Sequence, residues 1–238
     1  IHGGGNDLEF PHHENEIAQS EAATGKPYAK SWLHCGMITI NGEKMSKSLG
    51  NFFTIREVLE KYHPEVVRYL LIASHYRSPI NYSEDNLRES KAALERFYNA
   101  LKGLPEAEPA AADEFVARFS AAMDDDFNTA SACSVLFELA REVNRLRDSD
   151  IQAAAALAAR LKSLAALLGV LQLEPEAFLQ ADAAGRVDAA AVEALIEARL
   201  AARAAKDWAA SDQIRDQLSA MGVLLEDAKG VTTWRLAD

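Results

Sequence analysis

The sequence is short of the features that would assign it at a glance. No stretch reaches the roughly 18 consecutive apolar residues of a membrane-spanning helix, so no membrane partner is expected. Only two cysteines, Cys35 and Cys133, occur among 238 residues. They make no disulfide framework and suit a reducing compartment, which points to the cytoplasm. Positive charge is scarce as well: 25 Lys plus Arg stand against 36 Asp plus Glu, a net charge of -11. An indiscriminate binder of phosphate backbones shows the opposite excess. No P-loop G-x-x-x-x-G-K-[ST] and no nucleophile elbow G-x-S-x-G is present, so neither of those phosphate- or acyl-transfer devices applies. The chain starts at Ile1 without a methionine, a charged n-region or an apolar h-region. It is expected to be a fragment whose N-terminal part is missing.

What the sequence does have is enough apolar material for a sizeable core. Hydrophobic residues make up 49% and charged residues 26%, a balance that argues against disorder. Pro11 suits the first turn of a helix that continues from Glu14 to Thr24 and closes at Gly25. Met37–Ile40 is β-prone and runs into Asn41-Gly42, a hairpin turn signal. Thr54 and Glu57 read as a capping box for a helix reaching Tyr62. Pro64 opens the next helix, with Val66, Val67, Leu70 and Leu71 as its apolar stripe, and Ser83 caps a third. Gly103–Pro109 is a linker candidate, after which the chain turns alanine-rich. Val135, Leu136, Leu139, Val143 and Leu146, then Leu157, Leu161, Leu164 and Leu168, repeat at helical spacing and predict an antiparallel bundle. Further helices are predicted over about 188–205 and 207–220, with strands at Val223–Leu225 and Thr232–Arg235.

Four strings carry chemistry. His12 and Glu16 lie four apart, so on a helix an imidazole and a carboxylate share one face. They form either two ligands of a zinc ion, the rest coming from elsewhere, or a surface ion pair. His13 is rotated about 100° from His12 and is not expected to point at the same place. The run His2-Gly3-Gly4-Gly5 is either a loop whose bare backbone approaches a ligand or a tight turn. Lys44-Met45-Ser46-Lys47-Ser48 places two lysines and two hydroxyls on a loop, a set able to clamp phosphate oxygens. Asp124-Asp125-Asp126 would suit magnesium, but acids just ahead of a helix are favoured by capping, and that reading is preferred.

Taken together, His2–Gln19 and Lys44–Ser48 resemble the cysteinyl-tRNA synthetases, and the likeness runs on through Ala122–Thr129 to Thr232–Arg235. The resemblance implies an α/β remnant of a class I, Rossmann-like catalytic domain, then a mainly helical bundle and a small mixed α/β C-terminal domain, helix predominating. The implied divisions are 1–52 (end of the catalytic domain), 53–104 (connecting helices), 105–175 (bundle) and 176–238 (anticodon-binding domain). It further implies ATP-dependent activation of cysteine to the adenylate and transfer to the 3′ end of its tRNA, with ATP used as its Mg2+ complex by a monomer. Zinc would select the substrate thiolate over the harder serine hydroxyl. His12 and Glu16 match two zinc ligands, and the two cysteine ligands match neither Cys35 nor Cys133. His2, Gly3 and Asp7 match the adenylate pocket. Lys47 matches the ATP-binding lysine, with Lys44, Ser46 and Ser48 beside it. Arg203, Trp208, Asp212, Arg215 and Asp227 match anticodon-contacting positions, where Trp208 would stack on a splayed base. The bland alternatives are a core role for Trp208 and an Asp212–Arg215 ion pair. The fragment by itself is expected to be inactive. Two other functions compete: a stand-alone tRNA-binding module with a catalytic remnant, and the related cysteine ligase of mycothiol synthesis.

Overall fold

Glycine and polar turns divide the first forty residues into three short strands and one helix. The computed structural model describes residues 1–45, 53–111, 114–180, 189–228 and 231–236. They fall into two compact units, Ile1–Gln172 and Leu173–Asp238. In the first, β1 (His2–Gly5) lies parallel to β2 (Trp32–Cys35), with His2 opposite Trp32 and Gly4 opposite His34. The crossover is a 3-10 turn (Asn6–Leu8), a wider turn (Glu9–His13) and α1 (Glu14–Thr24). Gly25 ends α1 at a φ of 64°, a left-handed conformation that glycine takes without a steric cost.

β3 (Ile38–Ile40) and β4 (Glu43–Lys44) make the expected hairpin, with Asn41 and Gly42 both at positive φ. That is the conformation a two-residue primed turn requires. β5 (Ile80–Tyr82) adds in parallel to β3. The Thr54 hydroxyl accepts from the Glu57 amide and the Glu57 carboxylate accepts from the Thr54 amide, so the capping box opens α2 (Ile55–Leu59). α2 stops short of Tyr62. Pro64 holds His63 in extended backbone ahead of α3 (Pro64–Ile72), and a helix cannot run through that position. In α3 the buried face is Glu65, Val66, Tyr69 and Leu70, whereas Leu71 is 42% exposed and Val67 only half-buried. The stripe predicted from sequence is thus rotated by one residue: both stripes have the same helical period, and packing turns Tyr69, which meets Phe97 edge-on, inward in place of Leu71.

Ser83 caps α4 (Glu84–Leu101) by accepting from the Asn86 amide. α5 (Glu114–Asp124), α6 (Thr129–Leu146) and α7 (Ile151–Leu167) complete the unit and pack on one another and on α4. Leu87, Leu94, Phe97, Leu136, Leu139, Val143 and Leu161 are almost wholly buried there, and Phe97 stacks on Phe137 at 4.3 Å between centroids. The Gly103–Pro109 stretch is strapped down on both sides. Arg147 on α6 donates to the carbonyls of Asn99, Ala100 and Lys102, which occupies acceptors that the end of α4 would otherwise leave open. The Ala110 amide donates to Ala156 on α7, at 3.0 Å. Buried Glu65 accepts from the Tyr98 hydroxyl at 2.6 Å and the Gln172 amide at 3.0 Å, which satisfies a carboxylate that would otherwise be costly to bury.

The α5–α6 turn departs from expectation. Asn128, not an aspartate, caps α6 by accepting from the Ser131 amide. Asp126 and Phe127 both have left-handed backbone, at φ 54° and 55°. Asp tolerates this region, but for Phe it costs roughly 1–2 kcal/mol.

The second unit comprises α8 (Pro175–Leu179), α9 (Ala189–Ala204), α10 (Trp208–Ala220) and the antiparallel pair β6 (Val223–Ala228) and β7 (Val231–Leu236). Asp207 caps α10 by accepting from the Ala210 amide. Its core is Val192, Ile196, Leu218, Val223 and Trp234. The Trp234 indole donates to Glu193 at 2.7 Å, which leaves its ring free to pack. Among the described residues no helix is long and apolar enough to cross a membrane.

Gly36, just after β2, offers a sharp test of packing in the first unit. A Cβ there would stand 2.1 Å from the Ser78 carbonyl oxygen. Gly36→Ala is expected to destabilise the protein by about 1–3 kcal/mol, read as a lower urea midpoint with unchanged slope.

Candidate active site

In a parallel strand pair, residues in register face the same side, so His2 and Gly4 of β1 share a face with Trp32 and His34 of β2. That shared face carries the site. His13 drops onto it from the turn before α1, and Gly4 is what lets it in. A Cβ at Gly4 would meet the His13 ring at 3.0 Å and Leu8 at 2.9 Å. The His13 imidazole is only 4% exposed and lies edge-on to His2, with centroids 4.7 Å apart. Its Nδ1 is 2.9 Å from His34 Nε2, one nitrogen donating and the other accepting according to tautomer. Trp32 and Tyr28 close the aromatic wall, at 4.8 and 5.2 Å from His2.

Glu16 comes up from the first turn of α1 and is flanked by histidines. Its Oε1 lies 3.4 Å from His12 Nε2, and its Oε2 lies 3.1 Å from His2 Nε2. The latter oxygen is buried without a properly directed hydrogen bond. Donor atoms of His2, His13 and Glu16 fall within 4.8 Å of one another, close enough to hold one cation. His13 therefore does join the group from which helical rotation excluded it. The reason is local: the backbone is helical after Phe10, and residues three apart share a face as well as residues four apart, so Glu16 is reached from His13 as well as from His12. His12 meets the same carboxylate from the outside and is 60% exposed. Burial, and after it the neighbouring His2, hold the His13 imidazole below its ordinary pKa, against an opposing pull from Glu16. A neutral ring keeps a lone pair for a ligand or a proton.

The other predicted positions are spread along the same strands. Gly3 faces the opposite side, where a Cβ would crowd the Leu33 carbonyl at 3.0 Å. Asp7 folds its carboxylate back over Gly5, within 2.5 Å of where a Cβ there would stand. Lys44 pairs with Thr39 through β4, which fixes the root of the lysine-serine loop. Ser46, Lys47 and Ser48 lie outside the described residues. Cys35 is exposed at the end of β2, whereas Cys133 is buried beneath Tyr69, whose hydroxyl it contacts; burial raises its thiol to about 11. His34 and Trp32 escaped sequence reasoning because only the strand register brings them to His13, and Tyr28 because it meets His2 and Trp32 from the segment before β2.

The second unit gathers a separate polar group. Asp227 on β6 accepts two bonds from Arg199, at 3.0 and 2.9 Å, one from Arg203 at 3.0 Å and one from the Thr232 hydroxyl at 2.6 Å. Those bonds, that from Arg199 foremost, hold its carboxyl far below the ordinary range. Asp227 thus anchors Arg203, and Arg199, which sequence reasoning missed, anchors Asp227. Trp208 is 60% exposed at the first turn of α10, so it is not a core residue. Asp212 and Arg215 do form the i,i+3 pair, at 3.2 Å.

Three family models match the chain in order. Residues 1–92 match "tRNA synthetases class I (C) catalytic domain", 118–172 match "DALR domain", and 189–235 match "Cysteinyl-tRNA ligase anticodon binding domain". Curated proteins called cysteine–tRNA ligase align over the whole chain, at 88% identity in Pseudomonas aeruginosa, 89% in Pseudomonas paraeruginosa and 80% in Azotobacter vinelandii. The chain spans 52% of the length of these relatives. Among solved structures, the ternary complex of LeuRS with tRNA and LeuAMS from Agrobacterium radiobacter K84 shares the fold. Its TM-score is 0.52 at 20% identity, over 73% of this chain and 28% of that one. The class is thus that of the class I tRNA synthetases, a catalytic-domain portion followed by helical and anticodon-binding domains. The chain belongs to the cysteinyl-tRNA ligase family.

The Asp227 cluster has a pH signature. A carboxyl depressed in the folded state adds stability above its unfolded pKa of about 3.9, and that stability is lost as pH falls towards the folded value. Melts followed by tryptophan fluorescence should show the second unit weakening below about pH 4. Asp227→Asn is expected to flatten that acid limb and to cost on the order of 1 kcal/mol at neutral pH, solvent screening reducing the rest.

Proposed function

We propose that this chain is part of a cysteine–tRNA ligase, which activates cysteine with ATP and transfers it to the 3′ end of its tRNA. The observation that carries the reading is Glu16, whose carboxylate stands between His12 on one side and His2 and His13 on the other. A buried carboxylate oxygen without a directed hydrogen bond, ringed by imidazoles, is a donor set that fits zinc. His12 and Glu16 would hold the ion, which supplies preference for a soft thiolate over a hydroxyl. His2, with Trp32 and Tyr28 around it, walls the amino-acid side of the pocket and keeps water from it. Gly3 and its neighbours let a nucleotide approach the β1 backbone, and Asp7 offers a carboxylate to the adenylate. Lys47, with Lys44, Ser46 and Ser48, would neutralise the charge that builds on the phosphates as pyrophosphate leaves.

In the second unit, Trp208 offers an open ring for stacking, and Arg203 is held rigid by Asp227. Asp212 and Arg215 present a charged edge beside them on α10. Such a pairing of exposed aromatic and oriented guanidinium suits single-stranded anticodon bases. The parts of this reading are an end of the catalytic domain over 1–52, connecting helices over 53–104, a bundle over 105–175 and the anticodon domain over 176–238. A cytoplasmic monomer using Mg2+–ATP completes it.

Two measurements on the full-length protein test this reading. ATP–pyrophosphate exchange should depend on cysteine, with serine at least about a hundredfold poorer, and His12→Ala should lower kcat/KM for cysteine by about tenfold or more. Exchange indifferent to His12 removes it from the site. Trp208→Ala should leave exchange unchanged and raise KM for tRNA charging by roughly fivefold or more, the worth of one stacked base. Charging unaffected by that change overturns the anticodon assignment.

A further inference from the structure

The α5–α6 turn lies outside the site, yet a continuous set of contacts ties it to the histidines. Asp126 accepts from the Tyr76 hydroxyl at 2.8 Å and from the Arg77 guanidinium at 2.6 and 3.2 Å. Arg77 also lies over the Tyr76 ring, and His75 stacks on that ring at 4.9 Å between centroids. Next door, the Thr129 hydroxyl donates to the Ser74 carbonyl at 3.2 Å. The 73–79 loop between α3 and β5 is therefore gripped from the helical side at Ser74, Tyr76 and Arg77.

The opposite side of the same loop holds the end of β2. The Gly36 amide donates to the Tyr76 carbonyl at 2.8 Å, and the Ile80 amide donates to the Met37 carbonyl at 2.9 Å. Gly36 passes so close to Ser78 that no side chain fits between them. Two residues before Gly36 stands His34, whose ring meets buried His13. The turn that presents Asp126 to Tyr76 and Arg77 has both Asp126 and Phe127 in left-handed backbone. Ending α5 does not demand a phenylalanine there. Glycine would do it without strain, and Phe127 leaves its ring 56% exposed. Strain held in this way, with the aspartate aimed at a loop that braces the site, marks a functional constraint.

We propose that Asp126 is a positioning residue for the cysteine site: through Tyr76 and Arg77 it sets the 73–79 loop, and through Gly36 that loop sets His34 against His13. This rests on the cysteine-activation reading of the His2–His13–Glu16 cluster. Asp126 touches no substrate. It couples the helical part, which the DALR model matches, to the catalytic part of the same unit.

The test uses the full-length protein labelled with 15N-histidine. Asp126→Asn keeps shape and removes charge, and Tyr76→Phe removes one hydroxyl in case the first variant folds poorly. Either change is expected to shift the His34 and His13 ring resonances. In cysteine-dependent exchange, KM for cysteine should rise about tenfold and KM for ATP by less than about threefold. The swapped pair Asp126→Arg with Arg77→Asp should recover part of the loss. Glu142→Gln breaks a comparable exposed ion pair on α6, with Arg145, and should change none of these readouts. Unshifted imidazole resonances, or a KM for cysteine unchanged in both variants, overturn the proposal. If wild type shows no cysteine-dependent exchange, the underlying functional reading fails instead, and the resonances still report whether the coupling exists.

Discussion

The parallel pairing of β1 with β2 is the constraint on which the catalytic part depends. It fixes His2 and Gly4 on the same face as Trp32 and His34, and the missing side chain at Gly4 leaves room for the His13 ring. Shift that pairing by one residue and the histidines would point to opposite faces, because strand side chains alternate. Two strands alone would not hold such a register. The crossover through α1 and the close approach of Gly36 to Ser78 pin its two ends.

The second unit solves a different problem with the same economy. Its apolar core is small, so a buried arginine and a hydrogen-bonded carboxylate tie α9 to the hairpin. Asp227 takes up Arg199, Arg203 and Thr232 at once, and its charge is offset by two guanidinium groups. The bond from Arg203 to this carboxylate also fixes the Arg203 guanidinium. The exposed Trp208 and the Asp212–Arg215 pair lie on the neighbouring helix, and their solvent exposure is what a docking face requires.

Much of the local structure was legible in the order of residues. Thr54 and Glu57, Ser83, Pro64 and Asn41-Gly42 each act through bonds within a few positions, so they report their helices and turns directly. The bundle leucines did the same through their period. The errors came where a neighbour in space decided. Leu71 is expected inward although packing selects Tyr69, and Asn128 takes the capping role expected of an aspartate because α6 begins at Thr129, which puts Asn128 and not Asp126 at the cap position.

The site divides along the same line. The sequence by itself determined that His12 and Glu16 meet, since a helix brings residues four apart together whatever surrounds it. It also determined the glycine run, the lysine-serine string and the family to which they belong. Only the tertiary structure decided that His2, His13 and His34 join them, that Arg199 stands behind Asp227, and that Asp126 reaches the loop beneath β2. Those meetings depend on strand register and on turns between distant elements. Their geometry comes from long-range packing, which no short-range pattern in the chain encodes.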